Sequence, residues 1–121
     1  MKLDYLIDTN IFISLFGGQL RAPIPEGRIG YSVITEIELL SYLTLTETDE
    51  IFIRQQLQSI HSIALTQEII QATIQLRRQY KLKIPDAIVV ASALATKAIL
   101  ITNDQQLAKI PSLQVLSLAS E

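Results

Sequence analysis

The sequence contains no cysteine, no tryptophan and a single histidine. The lack of cysteine excludes disulfides, thiolate metal sites and cysteine nucleophiles, and one histidine cannot form an acid–base pair. Aromatic residues make up only 6% of the chain, which argues against a single-strand binder that depends on base stacking. No apolar run approaches the roughly 20 residues that a bilayer span needs, and the acids near the N-terminus come too early for a signal peptide. We therefore expect a cytoplasmic protein that does not bind membranes.

The composition is that of a folded chain, with 49% apolar and 18% charged residues among 121. This length predicts one domain over residues 1–121. The net charge is −2, whereas a protein that holds nucleic acid by bulk electrostatics should be basic. A phosphate substrate would therefore need a local basic patch or bound metal ions.

Short apolar segments alternate with segments of helical periodicity. The pattern predicts strands at residues 3–7, 29–34, 60–65, 98–101 and 113–118. It predicts helices at residues 10–16, 36–43, 48–58 and 67–79, a helix opened by Pro85, and a short helix at 104–109. This alternation is typical of an α/β domain with a mostly parallel sheet.

Acidic residues follow several of these strands directly. Asp8 ends the first strand, Glu36 and Glu38 follow the second, Asp104 follows the fourth, and Asp86 begins a helix. In α/β folds, sites form beyond the carboxyl ends of the strands, where the strand order switches. Carboxylates brought together there repel each other unless cations hold them. Oxygen ligands alone suit Mg²⁺ or Mn²⁺, which predicts metal-assisted phosphodiester cleavage.

A simpler interpretation makes the same acids helix caps. Acids are favoured in the first turn of a helix by the macrodipole and by free backbone N–H groups. Thr35 and Glu38 have the spacing of a capping box, and Thr102 with Gln105 has a similar spacing. Asp86 directly follows a proline suited to a first helical turn. Taken singly, each acid fits a cap as well as a ligand.

The chain resembles the PIN domain family, and within it the VapC-type toxin ribonucleases. Four motifs carry the resemblance, in order and over nearly the whole chain: Leu6-Ile7-Asp8-Thr9-Asn10-Ile11, Ser32-x-x-Thr35-x-x-Glu38-Leu39, Pro85-Asp86-Ala87-Ile88 and Thr102-Asn103-Asp104. The resemblance implies a three-layer α/β/α fold with a five-stranded parallel sheet in the order 3-2-1-4-5. It also implies a Mg²⁺- or Mn²⁺-dependent ribonuclease site with Asp8, Glu38, Asp86 and Asp104 as catalytic metal ligands. Supporting positions would be Asn10, Thr102 and Asn103.

Two glutamates compete for the ligand position in the second motif. Glu36 and Glu38 are two residues apart, so on a helix their side chains point about 200° apart and cannot both face one site. The family spacing from Thr35 favours Glu38, and Glu36 is the alternative.

Basic residues cluster just before Asp86, at Arg77, Arg78, Lys81 and Lys83. This cluster is a candidate flank for RNA phosphates. The alternative is that basic residues suit the C-terminus of a helix and its solvated face, and this alternative is favoured for the two arginines.

The predicted helices near 10–16 and 36–57 carry more apolar side chains than one face of a sheet obviously needs, which favours a partner surface. The resemblance implies a homodimer and a protein antitoxin whose apolar peptide fills such a groove. Two other functions stay open: a haloacid-dehalogenase-type phosphatase with Asp8 as nucleophile, and a PIN-like module that binds without catalysis. The phosphatase expects a second aspartate where Asn10 stands.

Overall fold

The computed structural model describes residues 1–119, and its centre is a parallel sheet of five strands in the order β3-β2-β1-β4-β5. The α/β class and the order 3-2-1-4-5 are therefore confirmed. The strands are β1 (Tyr5–Ile7), β2 (Ile29–Ser32), β3 (His61–Ile63), β4 (Ile99–Ile101) and β5 (Val115–Leu116). The chain runs outward from β1 in one direction and then returns to β4 on its other side, so the switch in strand order lies between β1 and β4.

Five α-helices connect or cover the strands. They are α1 (Thr9–Phe16), α2 (Val33–Leu40), α3 (Glu47–Gln58), α4 (Gln67–Gln79) and α5 (Ile84–Ala95), and a 3₁₀ turn follows at Leu107–Lys109. No helix within residues 1–119 has the length and apolar character to cross a bilayer.

The sheet separates two apolar cores because side chains alternate between its faces. In β1, Leu6 packs with α4 and α5, whereas Ile7 packs with α1, α2 and α3. Leu100 and Ile101 repeat the pattern in β4. The two helical layers and the sheet thus form the three-layer arrangement that the resemblance implied. Helix α5 is buried over seven consecutive residues and contacts β1, β2 and β4, as expected of a helix that is apolar all round.

Several element boundaries differ from the predicted ones. The second strand ends at residue 32 and α2 begins at Val33, because the Ser32 hydroxyl caps the helix by accepting the N–H of Ile34 at 3.1 Å. The predicted helix at 104–109 is only the 3₁₀ turn, because the Asp104 carboxylate accepts the Gln106 N–H and bends the chain into a turn first. The outer strands β3 and β5 are shorter than predicted.

Candidate active site

Asp8 stands where β1 ends and α1 begins, at the switch point of the sheet. Its backbone N–H continues the ladder to β4 by donating to the Ile101 carbonyl at 2.9 Å. One carboxylate oxygen accepts the Thr9 N–H at 2.9 Å and so caps α1, and the other accepts the Thr102 hydroxyl at 2.7 Å. Asp8 is thus a helix cap and a candidate ligand at once, with only 8% of its surface exposed.

Burial raises the pKa of Asp8 above its ordinary value of 3.8, and the charges of Glu38 and Asp104 raise it further. The hydrogen bonds from Thr102 and Thr9 act against this rise because they stabilise the ionised form. The carboxylate is therefore held in a place where its negative charge is poorly solvated. A cation at this point would relieve that cost.

The end of β4 supplies Thr102 and Asp104. The Thr102 hydroxyl is almost fully buried; it donates to Asp8 and accepts the Asp104 N–H at 3.1 Å. Asp104 then turns the chain by accepting the Gln106 N–H at 2.9 Å. One threonine thus fixes two of the candidate carboxylates relative to each other.

Glu38 reaches the same region from α2. The Thr9 hydroxyl donates to the Glu38 carboxylate at 2.8 Å, and the Thr9 and Thr35 hydroxyls are 3.0 Å apart. Thr35 is fully buried inside α2, where it cannot cap the helix. The capping box expected from Thr35 and Glu38 is therefore wrong, since Ser32 takes the capping position.

Asp86 lies in the first turn of α5 and is partly buried. Burial raises its pKa above 3.8, the charges of Asp104 and Asp8 raise it further, and the charge of Lys83 lowers it. No hydrogen bond within residues 1–119 reaches its carboxylate, so it does not act as a cap. Asp86 lines the same cleft as Asp104, and Thr102 joins Asp104 to Asp8, so the three residues lie at one end of the sheet.

The four acids form an all-oxygen donor set, the chemistry that Mg²⁺ and Mn²⁺ prefer. Within the described part of the chain, no group of three or more His, Asp or Glu side chains is arranged so that it could hold an ion directly. A magnesium ion is usually bound by one or two protein carboxylates and keeps several waters. The residues present fit such a loosely held, largely hydrated ion.

The other predicted site residues separate into those near the carboxylates and those away from them. Asn10 is exposed in the first turn of α1, two residues after Asp8. Asn103 faces the C-terminal segment instead: its side chain bonds the Leu118 backbone at 2.8 and 3.0 Å and the Ser117 hydroxyl at 2.6 Å. Glu36 lies beside Tyr31 and Arg54 in a separate cavity between α2 and α3. The structure therefore does not bring Glu36 or the Asn103 side chain to the carboxylates.

The basic cluster divides between two surfaces. Lys81 and Lys83 line a cleft of about 470 Å³ together with Asp86 and Asp104. We call this the loop cleft, because it lies between the α4–α5 loop and the turn after β4; its remaining lining residues are Leu82, Gln105 and Gln106. Arg77 and Arg78 instead line an apolar groove of about 580 Å³. We call it the α4–α5 groove, and its other lining residues are Leu65, Ile70, Thr73, Ile74, Ile84 and Ile88.

The PIN domain family profile matches residues 5–113. The chain belongs to the PIN domain family. No curated protein shows a significant match to it. Among solved structures, a chain of a toxin–antitoxin complex from Klebsiella pneumoniae is 35% identical, with a TM-score of 0.77 over 93% of this chain and 96% of that one.

Two solved structures of lower sequence identity have the same fold. A chain of VapBC2 from Rickettsia felis, crystallised with a DNA fragment from its promoter, is 19% identical with a TM-score of 0.80, over 95% of this chain and 98% of that one. A chain of VapBC-5 from Mycobacterium tuberculosis is 20% identical with a TM-score of 0.73, over 94% and 98%. These two likenesses extend over nearly the whole of each chain and show the fold of this PIN domain.

Two features of this PIN domain were not predicted as parts of the site. Thr9 is part of the first motif but was not predicted as a site residue, yet its hydroxyl donates a hydrogen bond to Glu38. Gln105 and Gln106 form one wall of the loop cleft, and their position directly after Asp104 was the available signal. The alternative that Thr102 and Gln105 form a capping box is not realised, because the Thr102 hydroxyl donates to Asp8 and accepts the Asp104 N–H.

Proposed function

We propose that this PIN domain is a Mg²⁺- or Mn²⁺-dependent endoribonuclease that hydrolyses RNA phosphodiesters as the toxin of a type II toxin–antitoxin pair. Asp8, Glu38, Asp86 and Asp104 are its proposed metal ligands, one or two of them bound to the ion directly and the others through its water molecules. The observation that carries the proposal is the buried Thr102 hydroxyl, which joins the Asp8 carboxylate to the Asp104 N–H at the switch point of the sheet, with Asp86 in the same cleft as Asp104. Carboxylates gathered in this way repel each other, and a bound cation would offset that repulsion.

The four carboxylates would hold a divalent ion, which would lower the pKa of a water for attack on the phosphodiester and would stabilise the charge on the leaving oxygen. The chain's own contribution is to hold the ligands. The Thr9 N–H and the Thr102 hydroxyl keep the Asp8 carboxylate in one orientation, and the Thr9 hydroxyl does the same for Glu38. Such supporting hydrogen bonds orient metal ligands and raise metal affinity. No protein nucleophile is needed.

The test is cleavage of single-stranded RNA by the purified protein with Mg²⁺ or Mn²⁺ and with EDTA. Cleavage that requires the metal and is lost in Asp8→Asn supports the proposal. Asparagine keeps an oxygen for the Thr9 N–H, so this variant should fold, and circular dichroism checks that it does. Undiminished cleavage by the folded variant would exclude Asp8 as an essential ligand.

An antitoxin partner is supported by the toxin–antitoxin complexes among the structural neighbours. We propose that an apolar segment of that antitoxin occupies the groove between α1, α2 and α3, which we call the α1–α3 groove. Its lining includes Ile13, Phe16, Leu39, Tyr42, Leu45 and Phe52. Tyr42 is 52% exposed and Phe52 is 45% exposed, which is unusual for side chains of this size unless a partner covers them.

Co-expression with the product of the neighbouring gene tests this assignment. The toxin role is supported if induction of this chain alone arrests growth and co-expression of the neighbouring gene product relieves the arrest. Asp8→Asn should not arrest growth. Phe52→Asp should keep nuclease activity but lose co-purification with the neighbour. If Phe52→Asp still co-purifies with the neighbouring gene product, the partner binds a surface other than the α1–α3 groove.

The homodimer implied by the resemblance is likewise a proposal, and we assign it to the α4–α5 groove. Leu65, Ile74 and Ile84 expose apolar surface there, and a two-fold dimer can cover one such patch with its own copy. Light scattering of Ile74→Asp beside the wild type tests the assignment. A monomeric variant and a dimeric wild type support it, whereas an unchanged dimer contradicts it.

The two alternative functions are less well supported. Both oxygens of Asp8 already accept hydrogen bonds, which disfavours Asp8 as a phosphatase nucleophile; a covalent phosphoaspartate after turnover would favour it. A module that only binds RNA or protein has no need of four acids that repel each other. Mn²⁺ titration separates that case, because such a module should show no saturable binding that depends on Asp8.

A further inference from the structure

The loop cleft carries an inference about how the substrate is held, and it rests on the proposed function. We infer that this cleft binds the sugar–phosphate backbone of single-stranded RNA beside the scissile bond, with the ammonium groups of Lys81 and Lys83 on the phosphates. The cleft is continuous with the carboxylates, since Asp86 and Asp104 form part of its lining. A strand lying in the cleft therefore passes beside two of the proposed metal ligands.

The α4–α5 loop is fixed so that its lysines face the cleft. Leu82 packs against the core formed with α4 and α5, and its N–H donates to the Tyr80 carbonyl at 2.8 Å. Its carbonyl accepts the Arg77 Nε–H at 3.2 Å. The partly buried leucine and these two bonds leave Lys81 and Lys83 as the exposed residues of the loop.

The opposite wall is also fixed by hydrogen bonds. The Asp104 N–H donates to the Thr102 hydroxyl, and the Asp104 carboxylate accepts the Gln106 N–H. The side chains of Gln105 and Gln106 are exposed along this wall. Their amides offer donors and acceptors to ribose hydroxyls or base edges, so the cleft pairs cations on one side with neutral hydrogen-bonding groups on the other.

The charges favour a polyanion as the occupant. Neither lysine forms an ion pair within residues 1–119, so both ammonium groups are available to a ligand. The neighbouring acids would repel a phosphate unless a metal ion and nearby cations balance them. Arg77 and Arg78 do not share this role, because Arg77 anchors the loop and both line the α4–α5 groove instead.

The test is the salt dependence of RNA binding, measured without cleavage. Fluorescence anisotropy of a labelled single-stranded oligoribonucleotide is recorded with Ca²⁺, another cation that takes oxygen ligands, in the wild type and in Lys81→Gln, Lys83→Gln and Lys97→Gln, over times at which a gel shows the RNA to be intact. Lys97 is the matched control. It follows the far end of α5, whose 12 residues span about 18 Å, beyond the Debye length of about 8 Å at physiological salt.

Each phosphate contact on a single strand contributes about 0.7 to the slope of log affinity against log salt. We expect Lys81→Gln and Lys83→Gln each to reduce that slope by about 0.7, and Lys97→Gln to leave it unchanged. The inference would be overturned if the two cleft variants kept the wild-type slope, or if all three variants lost the same amount of slope. It would also be overturned if the protein did not bind the RNA at all.

Cleavage by the wild type with Mg²⁺ or Mn²⁺ is recorded separately. If RNA binding depends on the lysines but the RNA is not cleaved, the nuclease proposal is wrong and the loop cleft is still an RNA-binding site. If cleavage depends on the metal but RNA binding does not depend on the lysines, the nuclease proposal stands and the inference about the cleft is wrong.

Discussion

The Thr102 hydroxyl donates a hydrogen bond of 2.7 Å to the Asp8 carboxylate across 94 positions of sequence. Asp8 follows β1 and Thr102 follows β4, and these two strands are neighbours because the strand order switches between them. The same hydroxyl accepts the Asp104 N–H. The geometry of two proposed metal ligands therefore depends on one buried threonine.

Thr102→Val should lower both stability and activity. Valine has the same shape but no hydroxyl, so one Asp8 oxygen and the Asp104 N–H both lose their partner; this should cost about 1–3 kcal/mol of unfolding free energy. Urea denaturation and RNA cleavage measure the two effects. Thr102→Ser keeps the hydroxyl and should behave like the wild type. Equal stability of the valine and serine variants would show that the bond contributes little.

Substitution of Glu38 should reduce RNA cleavage and substitution of Glu36 should not, although both residues belong to α2. Glu38 accepts the Thr9 hydroxyl near Asp8, whereas Glu36 lies beside Arg54 in another cavity. We expect Glu38→Gln to reduce RNA cleavage by at least about tenfold, as loss of groups around metal sites does, and Glu36→Gln to leave it unchanged. The reverse pattern in a cleavage assay would assign the ligand to Glu36.

The metal-free protein should become less stable as the pH rises above 3.8. The pKa values of Asp8 and Asp86 are raised above 3.8 in the folded protein, so between 3.8 and those raised values the folded state binds more protons than the unfolded state. Stability then falls with rising pH across that window. Thermal unfolding in EDTA from pH 4 to 8 measures this fall. Asp8→Asn should show a smaller fall, and a fall of equal size would contradict the assignment to Asp8.

Divalent cations should raise the melting temperature at neutral pH. A ligand at a hundredfold excess over its Kd stabilises the folded state by about 2.7 kcal/mol, which for a chain of this length is a shift on the order of 10 °C. Differential scanning fluorimetry with MnCl₂ measures the shift. Asp8→Asn should lose most of it while Lys97→Gln keeps it. A shift of the same size in both variants would indicate non-specific binding.

The sequence predicted the α/β fold and the region of the site for a physical reason. Acids that directly follow parallel strands lie at the same edge of the sheet, so the sequence alone predicts one shared edge for Asp8 and Asp104. The strand order itself came from the resemblance, since periodicity does not specify which strands pair. The boundaries of helices and strands were predicted less well. At Ser32 the side-chain hydroxyl caps α2, although the apolar segment that predicted the second strand continues to residue 34.

The contacts that support the site could not be predicted from local patterns. The bond from Thr9 to Glu38 depends on how α1 packs on α2, and the Asn103 side chain turns to the C-terminal segment rather than to its neighbour Asp104. The division of the basic cluster depends on Leu82, which packs inward and leaves the two lysines facing the cleft. Each outcome follows from tertiary packing.

The most direct measurement is anomalous X-ray diffraction from crystals of the protein grown or soaked in Mn²⁺. We expect an anomalous peak at the switch point between β1 and β4, with Asp8 and at least one of Asp86 and Asp104 bound to the ion directly or through water. A saturating soak that leaves this place without a peak, or that puts manganese only at other surface acids, would contradict this expectation.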